Sequence, residues 1–230
     1  MAAAPNLILW GVGTSRTIRP HWAMHELGLP YTSYPIGPRT GETKTAEYTA
    51  LNPRQKVPLL QDGDFAIGES AAMVAYLSRT YSTPDRALIP ETQRDYAAWL
   101  EWCFFIVAEL DSTSLYVMRR HRSMEARGLG HIYGVAPDVV EQAGQYFRGQ
   151  LRHVETVLAD GRTFLMGDRF TSADILLTTC LDWAIDYGVG ICDNAHPYLE
   201  RISKRPAYLA AKAANVAAEP GEAMRTFDAA

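Results

Sequence analysis

The chain has 230 residues, of which 47% are hydrophobic and 21% charged, and its formal net charge is −4. This is the composition of an ordinary globular protein with enough apolar side chain to fill a sizeable core. The charge does not favour nucleic acid as a partner, because nucleic-acid binders usually carry a basic patch. No apolar run is long enough to span a bilayer, and the start, MAAAPN, lacks the basic segment of a secretory signal. We therefore expect neither nucleic acid nor a membrane as a partner.

Three cysteines occur, Cys103, Cys180 and Cys192, and the chain has no CxxC motif. An odd number without such a motif does not indicate a disulfide framework, so we expect a cytoplasmic protein in a reducing compartment. Each cysteine is interpreted as a small buried hydrophobe, since a reactive thiol needs an electropositive and partly exposed setting.

The first third of the chain alternates strand and helix signals. Short apolar runs indicate strands, Gly28 is typical of a helix end, and Asp62-Gly63-Asp64 between two apolar runs is typical of a hairpin. The predicted order is strand, helix, strand, loop, two strands and helix, over residues 7–10, 19–27, 31–36, 37–45, 57–61, 65–67 and 69–81.

Beyond residue 90 the pattern is entirely helical. Apolar stripes at helical spacing cover residues 96–110 and 140–158, and residues 173–187 are apolar almost all round, which predicts a central helix. The Pro-containing segment 82–90 (STPDRALIP) is the best linker candidate. We predict an α/β domain over residues 5–81 and an all-helical domain over residues 91–214.

The start of the central helix is well specified. Thr171 and Asp174 have the spacing of a capping box, and Phe170 and Ile175 have the spacing of a hydrophobic staple. We interpret these residues as structural. The Ala-rich tail after Asn215 lacks a clear apolar face and is expected to be partly disordered.

Segment 52–60, NPRQKVPLL, contains a proline where a strand begins. A cis bond between Val57 and Pro58 would leave the N–H and C=O of Val57 pointing outward, free to pair with an extended peptide. A trans proline at a strand edge is the alternative, and the spacing alone does not decide between them.

Two helix starts could bind anions. Glu69 and Ser70 begin the helix after the hairpin, where free N–H groups suit a carboxylate, and Glu69 could meet an ammonium group. Thr14, Ser15 and Arg16 precede the first helix, where a hydroxyl, the helix dipole and Arg16 would favour a thiolate. Helix capping is the alternative role at both places.

Four segments together resemble the cytosolic glutathione transferases, especially the theta-like bacterial and animal members. They are NPRQKVPLLQDGDFAIGESAAMVAYLSRTY, TSRTIRPHWAMHELGLPY, FLMGDRFTSADILL and RPAYLAA, and they occur in the family's order. The resemblance implies a thioredoxin-like N-terminal domain that binds glutathione as co-substrate, followed by a helical bundle that lines the second-substrate site. It also implies a homodimer.

The resemblance implies roles for single residues at the glutathione site. Val57, before cis-Pro58, would pair with the cysteinyl backbone of glutathione. Glu69 and Ser70 would hold the γ-glutamyl end, and Lys56 would reach the glycyl carboxylate.

The activating hydroxyl and the second-substrate pocket follow from the same resemblance. Ser15 stands where theta-like members place their serine and is preferred as the catalytic residue, and Thr14 stands where zeta, tau and phi members place theirs. Tyr116, Arg119 and Arg120 would border the pocket for the second substrate.

The implied activity is attack of the glutathione thiolate on a small hydrophobic electrophile. Two alternatives stay open, namely an enzyme that returns glutathione unchanged, by isomerisation or reductive ether or halide cleavage, and a non-catalytic binding protein of the same fold. His21 and His25 have a metal-compatible i,i+4 spacing, but no third ligand is visible, so no metal is expected.

Overall fold

The computed structural model describes residues 6–216. The described residues form two compact units, one of residues 6–89 with 204–216 and one of residues 90–203. The first unit contains a sheet with helices, and the second is built from helices. This is the thioredoxin-like and all-helical pair of domains that the resemblance implies.

The N-terminal unit follows the predicted order of strands and helices. Its elements are β1 (Leu7–Trp10), α1 (Ile18–Leu27), β2 (Thr32–Tyr34), α2 (Ala46–Leu51), β3 (Leu59–Asp62), β4 (Phe65–Ile67) and α3 (Ser70–Tyr81). The sheet has the order β2-β1-β3-β4, in which β1 pairs with β2 in parallel and the other two pairs are antiparallel. The parallel pair is joined through α1, as a βαβ unit requires.

The segment between β2 and β3 is more ordered than the sequence indicates. The predicted loop 37–45 contains a 3₁₀ turn, Glu42–Lys44, and α2 follows it without having been predicted. Thr45 caps α2 by accepting the Tyr48 N–H at 3.2 Å. Only Tyr48 of this helix is buried, so one side chain rather than an apolar face holds it, and no periodicity reveals it.

The helical unit starts after the linker. Its elements are α4 (Gln93–Phe105), a π-helical continuation (Ile106–Leu115), α5 (Tyr116–His121), α6 (Gly130–Tyr133), α7 (Pro137–Leu158), α8 (Ser172–Asp186) and α9 (Ala195–Ser203). The first ten residues of α8, 172–181, are all buried, and Trp183 and Ala184 are buried after them. The predicted central helix is therefore confirmed. The predicted stripe of α7 is buried from Ala143 onward.

The last helix, α10 (Pro206–Ala214), groups with the N-terminal unit. The sequence predicts a helical domain over residues 91–214, and that boundary stays a prediction. In the structure α10 packs against α1, where the rings of Trp22 and Tyr208 meet edge to face with centroids 4.8 Å apart. Arg205 also forms a two-point ion pair with Glu26.

The three cysteines are not disulfide-bonded in the structure. Burial raises the pKa of Cys103 to about 12, and burial together with the neighbouring Glu155 raises the pKa of Cys192 to about 12. These thiols therefore stay protonated near neutral pH, as expected of structural cysteines. Across residues 6–216 no helix is both long and apolar enough to cross a membrane.

The capping box at the start of α8 is confirmed and extends into a buried network. The Asp174 side chain accepts the N–H groups of Thr171 and Leu165 at 2.8 Å each, and the Tyr198 hydroxyl at 2.8 Å. Asp174 is 0% exposed. Burial raises the pKa of Asp174, while its hydrogen-bond donors oppose that rise.

We predict that Asp174→Ala lowers the free energy of unfolding by at least about 3 kcal/mol, because two buried N–H groups and two hydroxyls lose their acceptor and an unsatisfied buried donor costs about 1–3 kcal/mol. Asp174→Asn, which keeps one acceptor oxygen, should lose less. Urea unfolding measures both. Asp168→Ala is the control, since Asp168 is an exposed residue nearby and should change stability by less than about 0.5 kcal/mol. Equal stability of Asp174→Ala and the control would contradict the assigned role.

Candidate functional site

The site begins with a close approach at the end of β1. Gly11 has φ 111°, and a Cβ atom built on it would lie 2.5 Å from Cβ of Val57 and 3.3 Å from Cγ2 of Thr17. Only glycine fits this position, because any side chain would displace one of the two neighbours. The absence of a side chain therefore brings Val57 beside the turn that leads into α1.

In the turn before α1, the side chains of Thr14 and Thr17 each accept backbone N–H groups of the turn. Oγ1 of Thr14 accepts the N–H groups of Arg16 and Thr17 at 3.2 and 3.0 Å, and Oγ1 of Thr17 accepts the Thr14 N–H at 2.9 Å. The Ile18 N–H donates to the Thr14 carbonyl at 3.3 Å. Helical hydrogen bonding thus starts at Thr14, and both predicted hydroxyl residues lie at a helix N-terminus.

The two candidate hydroxyls differ in what they already do. Thr14 is committed to the turn through the contacts above. Ser15 is half-buried, and within residues 6–216 its hydroxyl has no hydrogen-bond partner. A hydroxyl without an acceptor is available to donate to a bound anion, which favours Ser15 over Thr14 as the activating group.

The bond between Val57 and Pro58 is cis, which decides between the two alternatives that the sequence left open. Neither the N–H nor the C=O of Val57 has a hydrogen-bond partner in the described part of the chain. The preceding carbonyl, of Lys56, is held by the Tyr48 hydroxyl at 2.6 Å and by Nδ2 of Asn52 at 2.8 Å. The Lys56 side chain is exposed.

The start of α3 forms the third part of the site. Ser70 is buried, and its Oγ accepts Nη1 of the buried Arg19 at 3.2 Å. Because Arg19 is the donor, the Ser70 hydroxyl keeps its own hydrogen for another partner. The N–H groups of Ser70, Ala71 and Ala72 precede the first helical hydrogen bond, which runs from Met73 to Glu69, and point beyond the helix end.

Glu69 adopts a left-handed backbone conformation, with φ 63°. Its carboxylate forms an ion pair with Arg54 at 2.6 Å, and both side chains are about two-thirds exposed, 65% and 67%. The sequence analysis did not include Arg54 in the site. The segment NPRQKVP contains no pattern that indicates an ion pair with a residue of another element. The pair of Arg54 with Glu69 could therefore not be identified from the sequence.

His21 is buried next to Gly11 and carries no charge near neutral pH. Its Nδ1 is 2.7 Å from the Tyr31 hydroxyl, and its Nε2 is 3.4 Å from the Gly11 carbonyl. Burial lowers the pKa of His21 to about 4, so the imidazole is neutral near pH 7. Within residues 6–216, no three His, Cys, Asp or Glu side chains come together as metal ligands.

The residues predicted for the second-substrate pocket lie on α5 of the helical unit. Tyr116 and Arg119 are half-buried, and Arg120 is exposed with its guanidinium 4.4 Å from the centroid of the Tyr133 ring. Spacings of three and four residues put them on neighbouring positions of one helix face. Their role toward a substrate stays a prediction.

Comparison with known proteins agrees with this architecture. The family model for the glutathione S-transferase N-terminal domain matches residues 15–80, and the one for the C-terminal domain matches residues 137–211. Glutathione S-transferase 3 of Zea mays is 31% identical over 211 residues, which are 88% of this chain and 91% of that protein. Glutathione S-transferase theta-3 of Mus musculus is 29% identical over 202 residues, which are 86% of this chain and 76% of that protein.

Among solved structures, the theta class glutathione S-transferase of Xanthomonas axonopodis pv. citri, with glutathione bound, is similar with a TM-score of 0.77. It is 26% identical, and the match covers 93% of this chain and 99% of that chain. A thioredoxin-like domain followed by an all-helical domain defines the class of fold. With both family models matched, this chain belongs to the glutathione S-transferase family.

Proposed function

We propose that this protein is a glutathione transferase that binds glutathione in its N-terminal unit and activates the thiol for attack on a hydrophobic electrophile. The observation that carries the proposal is a set of polar groups around the first turn of α1 that have no hydrogen-bond partner within residues 6–216. They are the backbone of Val57, the first amides of α3 and the hydroxyl of Ser15.

The backbone of Val57 would bind the cysteinyl residue of glutathione. Its free N–H and C=O can form the two hydrogen bonds of a short antiparallel pair, as when a peptide adds to a strand edge. Because Tyr48 and Asn52 hold the carbonyl of Lys56, this backbone is already in place before a peptide arrives. Such preorganisation lowers the entropic cost of binding.

The start of α3 would bind the γ-glutamyl end. The free amides and the Ser70 hydroxyl suit the α-carboxylate, since a helix N-terminus favours negative charge. Glu69 suits the α-ammonium group. Its exposed ion pair with Arg54 is worth about 1 kcal/mol at most, so the carboxylate can share its charge with a ligand. Lys56 would attract the glycyl carboxylate.

Thiol activation would come from Ser15. The free thiol has a pKa near 8.5, so only a minor fraction is ionised at neutral pH. A hydroxyl that donates to the sulfur stabilises the thiolate and lowers that pKa, and the positive end of α1 and the charge of Arg16 act in the same direction.

The thiolate would then attack a carbon of the electrophile and form a carbon–sulfur bond. The leaving group departs with its electron pair, or an activated double bond takes up a proton, and glutathione is consumed. Tyr116, Arg119 and Arg120 are proposed to contact the electrophile. Product analysis tests this, because recovery of unchanged glutathione would instead indicate an isomerase, and recovery of glutathione disulfide would indicate a reductive cleavage in which two glutathione molecules supply the two electrons.

A reducing, cytoplasmic location is also part of the proposal. In the structure none of Cys103, Cys180 and Cys192 forms a disulfide bond. In secreted proteins, which fold in an oxidising environment, cysteines usually form disulfide bonds.

We predict that Ser70→Ala weakens glutathione binding about 5- to 150-fold, which corresponds to about 1–3 kcal/mol, because a buried polar contact is lost. Titration calorimetry measures the affinity. Ser78→Ala is the matched control, since Ser78 is also a buried serine of α3 whose hydroxyl donates to the Val74 carbonyl at 2.7 Å. Unchanged affinity of Ser70→Ala would remove Ser70 from the site.

We predict that Ser15→Ala raises the pKa of the bound thiol by about one to two units. A hydrogen bond to a charged group is worth about 1.5–3 kcal/mol, and one pKa unit corresponds to about 1.36 kcal/mol. Ultraviolet absorbance of the thiolate, titrated against pH, measures the shift. Glutathione affinity should change little, because the contacts of Val57 and Ser70 remain.

Thr14 variants serve as the comparison for this prediction. Thr14→Ser keeps the capping hydroxyl and should match the wild type, whereas Thr14→Val removes the cap and should cost about 1 kcal/mol of stability. A wild-type thiol pKa in Ser15→Ala, together with a raised one in Thr14→Val, would mean that Thr14 is the activating residue.

We also propose a homodimer, which the family resemblance implies. Phe65 and Phe104, one in each unit, are 45% and 69% exposed, and exposed large apolar side chains often lie at interfaces. Light scattering should give about twice the 25.5 kDa mass of one chain. A mass of one chain at micromolar concentration would contradict the proposal.

A further inference from the structure

Asn215, the residue that follows α10, binds the loop between β1 and α1. Its Oδ1 accepts the Thr17 hydroxyl at 2.7 Å and the Gly13 N–H at 3.2 Å, and its Nδ2 donates to the Thr14 carbonyl at 3.1 Å. Its backbone carbonyl also accepts the Gly13 N–H, at 3.0 Å. The carboxamide of Asn215 thus binds the loop both as an acceptor, through Oδ1, and as a donor, through Nδ2.

These contacts decide where the hydroxyl hydrogens of the loop point. Oδ1 of Asn215 and the Thr14 carbonyl can only accept, so the Thr17 hydroxyl shares its single hydrogen between them, at 2.7 and 2.9 Å. Oγ1 of Thr17 then accepts from the Thr14 N–H at 2.9 Å and from the Thr14 hydroxyl, which is 3.0 Å away. Oγ1 of Thr14 in turn accepts two amides. Both threonine hydroxyls are saturated, whereas the Ser15 hydroxyl has no acceptor within residues 6–216.

The helix that carries Asn215 is anchored firmly at its other end. Nε and Nη2 of Arg205 each lie 2.7 Å from a carboxylate oxygen of Glu26, whose side chain is only 9% exposed. Glu26 also accepts Nε1 of Trp22 at 2.9 Å. A bidentate, largely buried pair of this kind has little freedom, so α10 lies against α1 and brings its last turn to the loop.

We propose that Asn215 is a positioning residue for thiol activation. Its carboxamide holds the Thr14–Thr17 turn in the conformation that directs the Ser15 hydroxyl to the glutathione sulfur. Because the hydroxyls of Thr14 and Thr17 are both used in hydrogen bonds within this turn, the Ser15 hydroxyl is the one that donates to the sulfur. The proposal rests on the proposed function for its chemical consequence, but the hold on the loop is testable without any ligand.

The chemical consequence is specific to the thiolate. A donor stabilises a developing charge best when it is oriented beforehand. Without the carboxamide, Thr17 can turn its hydrogen to the Thr14 carbonyl, 2.9 Å away, and the loop loses its tie to α10. The thiol pKa and kcat should then change, while KM for glutathione should not, because Val57 and Ser70 do not depend on Asn215.

The test uses two substitutions in the full chain. Asn215→Ala removes the carboxamide, and Asn215→Asp keeps an oxygen for Thr17 but sets a second, negatively charged oxygen against the Thr14 carbonyl. Asn194→Ala is the matched control, because Asn194 also donates from Nδ2 to a backbone carbonyl, that of Glu155 at 3.3 Å, in the other compact unit.

Three quantities are measured for each variant: amide hydrogen exchange of the peptide covering residues 11–18 without ligand, the pKa of bound glutathione thiol, and kcat with KM. In Asn215→Ala we expect faster exchange, a thiol pKa higher by about half to one unit, and kcat lower by about three- to tenfold, the scale of one lost hydrogen bond. Asn215→Asp should show a larger rise in pKa, and Asn194→Ala should match the wild type in all three.

Two results would overturn the proposal: wild-type exchange of residues 11–18 in both Asn215 variants, or faster exchange with an unchanged thiol pKa, which would make Asn215 structural only. A wild type that fails to ionise bound glutathione would instead overturn the proposed function. In that event the exchange measurement alone decides whether Asn215 holds the loop.

Discussion

The site depends on the close packing of Gly11 against Val57. Because Gly11 has no side chain, the end of β1 can contact the cis-proline segment. On its other side the chain is held by two backbone hydrogen bonds, from the Gly11 N–H to the Tyr34 carbonyl and from the Val12 N–H to the Ile36 carbonyl. A methyl group at Gly11 would push apart the Val57 segment, which is proposed to bind the peptide, and the turn that is proposed to activate the thiol. The contact of Gly11 with the Val57 side chain therefore sets how close these two parts of the proposed site lie.

In the proposed function, two helix N-termini bind two separate negative charges of glutathione. The start of α3 offers amides and the Ser70 hydroxyl, which Arg19 orients, and this arrangement suits a permanent carboxylate. The turn before α1 offers the Ser15 hydroxyl, which has no acceptor within residues 6–216, and suits a charge that must be created on the sulfur. The positive end of a helix would thus serve recognition at α3 and activation at α1.

The sequence predicted both units well where their elements leave local signals. Residues 7–10 were predicted as a strand and are β1, and Thr171 and Asp174 were predicted as a capping box and form one, because periodicity and capping are local. The short helix α2 was missed, since one buried tyrosine leaves no pattern. The predicted tail beyond Asn215 lies, apart from Val216, outside the described residues.

The contacts that sequence reasoning missed all join distant segments. Nothing near Asn215 in the sequence indicates that it binds the turn before α1, and nothing near Arg205 indicates that it pairs with Glu26. The pairing of Arg54 with Glu69 and of Arg19 with Ser70 was hidden for the same reason. The spacing of residues indicates structure within one element, whereas these contacts depend on how the elements pack.

The central claim is that the wild-type site ionises the glutathione thiol through neutral donors and a helix end. The most direct measurement is a pH titration of thiolate absorbance in the wild-type complex with glutathione. The account predicts a bound thiol pKa clearly below the free value of about 8.5, so that thiolate is the main form at neutral pH. A pKa equal to that of free glutathione, in a complex shown by calorimetry to be formed, would contradict it.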